Sequence, residues 1–226
     1  MKEVRVAVLA SGSGSNLQAL LDADLSPGRV TLVLSNLPDA RALQRARDRG
    51  ITTAVVDHRQ VKPRRVFDET VVDHLRRAEV EWVVFAGFMR IVTEVLLGAF
   101  PSRIVNIHPS LLPAFPGLDA QRQAFEAGVK LAGCTVHLVD SGVDTGPILA
   151  QAAVPVLPED DVESLRLRIL EREHALLPAV VRALCSGQLR RQGAQAWLEG
   201  ATTALSSLSA GVGGAPKGTE GSVDPA

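Results

Sequence analysis

Asn106 and His108 stand two residues apart at the end of the apolar run Arg103-Ile104-Val105, inside the stretch Asn-Ile-His-Pro-Ser-Leu-Leu-Pro-Ala-Phe-Pro-Gly over 106–117. On a strand, side chains two apart face the same side of the sheet, so an amide and an imidazole converge. Pro109 bars His108 from the helical region, and Pro113 and Pro116 stiffen the loop beyond it. Taken alone, the stretch also reads as a proline-rich turn with a satisfied core histidine. Two further segments bear on it. Downstream, Asp140-Ser-Gly-Val-Asp144-Thr-Gly-Pro places two carboxylates in a glycine-punctuated loop; upstream, Ser11-Gly-Ser-Gly-Ser-Asn16 follows the first apolar run. A polar donor pair, an acid and an anion cradle make a reactive site if they meet at one edge of a sheet.

The elements that must bring them there alternate in type. Val4 to Ala10 suits a buried parallel strand, and the Gly-Ser loop after it leads into a helix from Leu17 to about Ala23. The amides of Gly14, Ser15 and Asn16 then lack intrahelical partners and can hold an anion. A dinucleotide fingerprint would need glycine where Leu17 stands and an acid where Ser35-Asn36 stands. No Gly-Lys-Ser/Thr follows, which excludes a P-loop. Strands are expected at Val30–Leu34, Thr53–Val56 and Trp82–Ala86, with helices at Ala40–Arg49, closed by Gly50, and Arg64–Arg77. Further on come a helix from Asp119 to Ala127, strands at Leu131–Val139 and Ile148–Val154, and a long amphipathic helix from Val162 to Leu184. Pro178 should kink or interrupt that helix.

This order predicts an α/β fold: one open, mostly parallel twisted sheet, Rossmann-like, of about seven strands with helices on both faces. Ligands in such sheets gather beyond the carboxyl ends of the strands, which here carry Ser11–Asn16, Gly87–Arg90 and Asn106–His108. Gly87-Phe-Met-Arg-Ile91 reads either as an ordinary strand end or as an apolar wall, through Met89 and Ile91, for a flat ring. Arg64 and Arg65 start a helix and read by default as a solvated face. His137 is either a satisfied core residue or a partner of the site.

The chain of 226 residues, 46% hydrophobic and 22% charged, suits one substantial core. The expected organisation is a domain over 1–198 and a flexible Gly/Ser/Ala-rich tail over 199–226. Lys+Arg number 24 and Asp+Glu 25, so a net charge of -1 gives no global field for nucleic acid or an anionic membrane. No signal segment opens the chain, and apolar runs fall far short of the ~20 residues of a membrane helix. A cytoplasmic protein acting on small molecules is expected, as monomer or homodimer. Cys134 and Cys185 have no metal-ligand or disulfide spacing and read as small buried apolar residues, so no metal is expected.

Four segments, in this order, carry a resemblance: Ser-Gly-x-Gly-Ser-Asn at 11–16, Ala-Gly-Phe-Met-Arg-Ile at 86–91, Asn-Ile-His-Pro-Ser-Leu-Leu-Pro at 106–113 and Val-Asp-x-Gly-Pro at 143–147. From Val4 to about Trp197 the chain resembles the glycinamide ribonucleotide branch of the folate-dependent formyltransferases. The resemblance implies transfer of formyl from 10-formyltetrahydrofolate to the amine of phosphoribosylglycinamide, in purine synthesis. It implies Asn106, His108 and Asp144 as catalytic residues, the first two as donors to a developing oxyanion and the third as proton relay and partner of His108. It gives Gly14, Ser15, Asn16 and Glu173 to the ribonucleotide, and Arg64, Met89, Arg90, Ile91, Val92 and Asn106 to the folate. Asp119 and Leu170 depart from the family pattern, which often has histidine at the first and a polar residue at the second. Formyltetrahydrofolate hydrolases, which use water as acceptor, are expected to carry an extra N-terminal domain, and methionyl-tRNA formyltransferases an RNA-binding one. A folate- or nucleotide-binding module without turnover would bind ligand independently of His108.

Overall fold

The structure is a computed structural model that describes residues 2–193 and 195–200. Its strands are β1 (Val4–Leu9), β2 (Gly28–Ser35), β3 (Thr52–Val55), β4 (Trp82–Phe85), β5 (Ile104–His108), β6 (Leu131–Leu138) and β7 (Ile148–Pro155). They form one sheet of seven strands in the order β3-β2-β1-β4-β5-β6-β7. The first five are parallel, β6 runs antiparallel to β5, and β7, antiparallel to β6, returns to the direction of the first five. The helices are α1 (Ser15–Asp22), α2 (Arg41–Asp48), α3 (Arg64–Arg77), α4 (Glu94–Ala99), α5 (Ala120–Glu126) and α6 (Val162–Cys185). This is the α/β sheet expected, with strand order reversing between β1 and β4, where a crevice opens in such folds.

The alternation along β1 explains the two layers. Val6, Val8 and Ala10 enter a core with Leu17 and Leu20 of α1, Leu43 of α2 and Leu165, Ile169 and Leu177 of α6. Ala7 and Leu9 enter the opposite core with Phe67, Val71 and Leu75 of α3 and Leu96 of α4. A strand buried on both faces has to be apolar throughout, as this one is. On β5, Val105 and Ile107 join the first core and Ile104 the second. Asn106 and His108 therefore share the α3–α4 side with Ile104.

Three features differ from the sequence expectation. Helix α4 is added; it is only six residues long, capped by Thr93, whose Oγ1 accepts from Val95 N at 3.3 Å, and Leu96 is its one buried residue. A short hairpin, β8 (Leu189–Gln192) with β9 (Gln195–Leu198), follows α6. Helix α6 runs 24 residues through Pro178 without interruption. A proline removes one ladder bond, whereas buried Leu165, Ile169, Leu176, Leu177, Val180 and Val181 on both sides of it anchor the helix in one core. A capping box starts that helix: Asp161 Oδ1 accepts from Ser164 N at 2.7 Å, and Ser164 Oγ accepts from Asp161 N at 2.9 Å. The expected tail lies, from residue 201, outside the described residues.

Candidate active site

Asp144 is the point at which the separate segments meet. Its Oδ2 lies 3.3 Å from His108 Nδ1 and accepts from Gly117 N at 2.8 Å. Its Oδ1 lies 3.4 Å from Asn106 Nδ2 and 3.6 Å from His137 Nε2. The local sequence builds this acid. Asp144 has φ 55, a Cβ on Gly146 would come within 1.8 Å of Leu138 O, and Leu138 N donates to Pro147 O at 2.9 Å. The Asp-x-Gly-Pro run thus folds back onto the end of β6. Burial alone would raise the Asp144 carboxyl; the bond with His137, the Gly117 amide and the charges of His108 and His137 outweigh it and hold the group below its ordinary value. The other carboxylate of the loop is glue: Asp140 Oδ1 accepts from Gly142 N at 3.1 Å and Thr145 Oγ1 at 2.7 Å.

His108 is 4% exposed, and both of its nitrogens face acceptors, Nδ1 the Asp144 carboxylate and Nε2 the Phe115 carbonyl at 2.9 Å. That pairing suits a ring protonated on both nitrogens. Asn106 stands beside them, its Nδ2 3.2 Å from His137 Nε2 and 3.4 Å from Asp144 Oδ1. The proline-rich loop is pinned over the sheet by buried Thr135, whose Oγ1 donates to Ser110 O at 2.7 Å and accepts from Leu112 N at 3.1 Å. Gln151 adds bonds to Leu112 O and Thr135 Oγ1, each 2.9 Å.

The segment expected to cradle an anion forms the loop and first turn of α1. Gly14 takes the N-cap place at φ 71, and a Cβ there would meet Ala42 Cα and Cβ at 2.8 Å. Gln18 N is bonded to Gly14 O, so the amides of Ser15, Asn16 and Leu17 have no intrahelical acceptor. Arg45 Nε donates to Ser13 O at 2.9 Å and steadies the loop. Behind the cradle Asn16 Nδ2 donates to Glu173 Oε2 at 2.6 Å, while Asn16 Oδ1 is buried without a protein partner. A buried polar atom left open in this way suits a donor from a ligand.

Burial drives the Glu173 carboxyl up to about 7, against the bond from Asn16 and the charge of Arg166, which lower it. Folded, this acid keeps its proton above its ordinary 4.5, so its stabilising contribution falls as pH rises from about 4.5 to about 7. Glu173→Gln should abolish that slope. Tm measured from pH 4 to 8 should show the variant gaining on the parent chain as pH rises, and a parallel pair of curves would refute the assignment.

The segment after β4 closes the third side. Ser11 N donates to Gly87 O at 2.9 Å, and Ser11 Oγ accepts from Met89 N at 2.8 Å while donating to Asn36 Oδ1 at 2.6 Å. Met89 and Ile91 are 66% and 55% exposed. The Arg90 guanidinium lies 5.0 Å from the centre of the Phe67 ring, with its Nε buried and unpartnered. Arg64 and Arg90 line one cleft of about 620 Å³ with His58, Val61, Lys62 and Pro63. Buried Asp68 holds the next turn, its Oδ2 accepting from Thr93 N at 2.5 Å and Thr93 Oγ1 at 2.7 Å, just after Val92. Sequence reading assigned no role to Ser11's cross-link, Asn36, Asp68 or Thr135; only the Asn36 position, polar where a dinucleotide site wants an acid, gave a signal. Of the departures, Asp119 takes the N-cap place of α5 and Leu170 is half-buried on α6. A second cavity, about 1200 Å³, lies at the opposite ends of β1 to β3 and contains none of these residues.

The model of the formyl transferase family matches residues 4–181. The chain belongs to the formyl transferase family. Among formyl transferase relatives, phosphoribosylglycinamide formyltransferase of Bacillus subtilis is 42% identical over 183 residues, covering 80% of this chain and 94% of that one. The trifunctional purine biosynthetic protein adenosine-3 of Drosophila pseudoobscura pseudoobscura is 50% identical over 192 residues, and the chain spans only 14% of its length. The crystal structure of glycinamide ribonucleotide transformylase 1 from Symbiobacterium toebii superposes with a TM-score of 0.84 at 51% identity, covering 87% of this chain and 94% of that one. Among the described residues no cluster of three or more His, Cys, Asp or Glu could hold a metal, and no helix is long and apolar enough to cross a membrane.

Proposed function

We propose that the chain transfers the formyl group of 10-formyltetrahydrofolate to the primary amine of phosphoribosylglycinamide, giving the formylated ribonucleotide and tetrahydrofolate. The observation that carries this is Asp144 in reach of both His108 and Asn106, with carbonyl-directed polar groups beside an anion cradle. The groups present fit both reactants. The open amides of Ser15, Asn16 and Leu17 suit a phosphate, and the unpartnered Asn16 Oδ1 with Glu173 suits donors on the ribonucleotide. Exposed Met89 and Ile91, with Val92 and the open Nε of Arg90, suit a flat heterocycle; Arg64, across the shared cleft, suits an acid.

The folate, when bound, supplies an activated formyl carbon. Attack by an amine on such a carbon builds negative charge on oxygen and positive charge on nitrogen. His108 answers the first: its Nε2 now donates to the Phe115 carbonyl and offers the same N–H to the reacting oxygen. Asp144 answers the second, holding the His108 proton through Nδ1, taking the surplus proton of the amine and passing it, directly or through water, to the folate nitrogen as the bond from that nitrogen to the formyl carbon breaks and the oxyanion collapses to the new amide. Asn106, beside both, belongs to the folate side as well as to the reacting centre.

The test is one assay with purified protein and 10-formyltetrahydrofolate, with and without phosphoribosylglycinamide. Tetrahydrofolate and formylated ribonucleotide should form only when the amine is present. Release of formate at an equal rate without it would replace the transferase by a hydrolase.

A further inference from the structure

Ser11 opens the loop whose amides at Ser15, Asn16 and Leu17 are offered to the ribonucleotide phosphate, yet its own bonds run to another element. Its N–H donates to Gly87 O at 2.9 Å, and its Oγ accepts from Met89 N at 2.8 Å. Both partners belong to the segment after β4 that presents Met89 and Ile91 to the folate. An amide N–H can only donate, so the second bond uses an Oγ lone pair wherever the hydroxyl hydrogen points. That hydrogen goes to Asn36 Oδ1 at 2.6 Å. Asn36 is 2% exposed and is braced in turn by His58, whose Nδ1 lies 3.2 Å from Asn36 Nδ2 and 3.0 Å from Asn36 O. Ser11 is therefore fixed from behind. Further along the segment, Phe88 is sunk in the core, Arg90 N donates to Phe88 O at 3.0 Å, and Asp68 holds the far end through Thr93. Met89 itself is 66% exposed, so its place comes from the bond to Ser11 and not from burial.

We propose that Ser11, from within the ribonucleotide loop, is a positioning residue for the folate: its hydroxyl fixes the Met89 backbone and with it the apolar wall that meets the flat ring. The assignment rests on the formyl-transfer reading. Without the hydroxyl the wall loses its near anchor, and the folate must order it on binding. The loss then falls on affinity, while at saturation the wall is back in place and the rate recovers. The phosphate amides do not share this dependence, because the loop around them is set by the close contact of Gly14 with Ala42 and by the Arg45 bond to Ser13 O.

Two measurements test this. Backbone hydrogen exchange should show the Met89 amide of the parent chain protected despite its exposed side chain, with the protection lost in Ser11→Ala. A Met89 amide that exchanges as a free one in the parent would overturn the proposal without any variant. In steady-state kinetics with 10-formyltetrahydrofolate and phosphoribosylglycinamide, Ser11→Ala should raise KM for the folate about 10-fold, the order of one net hydrogen bond. Turnover at saturation should stay within a few-fold, as should the ribonucleotide Kd titrated without folate. An unchanged folate KM, a loss shared by both ligands, or a loss confined to kcat would overturn the proposal, since a serine that only holds the fold together would not single out the folate. A parent chain that forms no formylated ribonucleotide would overturn the formyl-transfer reading and the proposal with it; a missing split in a chain that does transfer formyl overturns the proposal alone.

Discussion

His108→Ala should reduce turnover by about 10²- to 10³-fold, the cost of removing one preorganised donor to a developing oxyanion. The ring sits between Asp144 and the Phe115 carbonyl, and its removal strips the first of its strongest charge partner. Asp144 keeps the Gly117 amide, so the loop between β6 and β7 retains an anchor. The cradle at α1 belongs to different elements, so ribonucleotide affinity should stay within a few-fold of the parent. Single-turnover rates and a separate titration with the ribonucleotide distinguish these quantities. Equal losses in both would show that His108 binds and does not act on the reacting oxygen.

Gly14→Val should produce the opposite split. At φ 71 a β-branched residue is strained by about 1–3 kcal/mol. Its Cβ would also press on the Cα and Cβ of Ala42 at 2.8 Å, and that neighbour cannot swing aside because Ala42 N is bonded to Gly12 O at 3.1 Å. The loop must move, and the amides of Ser15, Asn16 and Leu17 move with it. Ribonucleotide binding should weaken about 10- to 100-fold, the equivalent of about 1.4–3 kcal/mol, with the rate at saturation much less affected. Binding at the parent level would remove the phosphate from this loop.

Residues whose environment follows from their own neighbours were legible in the sequence. Val4 to Ala10 could only be a strand buried on both faces, and Arg64 to Arg77 forms the helix its spacing demanded. Asn106 and His108 converge because strand alternation leaves no alternative. Features settled by tertiary packing were hidden. Helix α4 is too short for an apolar period, and the strands of the β8–β9 hairpin are four residues each and largely exposed. Pro178 signalled a break that packing along α6 overrides. The partners of His108 and His137 were hidden for another reason: two of them are carbonyls, and a carbonyl has no letter of its own.

Those two carbonyls, of Phe115 and Leu138, bear on how the chain will respond to mutation. No side-chain replacement deletes a main-chain oxygen, so scanning Phe115 and Leu138 with alanine would report the packing each side chain contributes to the core and leave both acceptors present. What can displace them is the path of the chain, set for Phe115 by Thr135 and Gln151 beneath the proline-rich loop and for Leu138 by the close approach of Gly146. Damage to either histidine's chemistry will therefore surface at residues that touch neither ring.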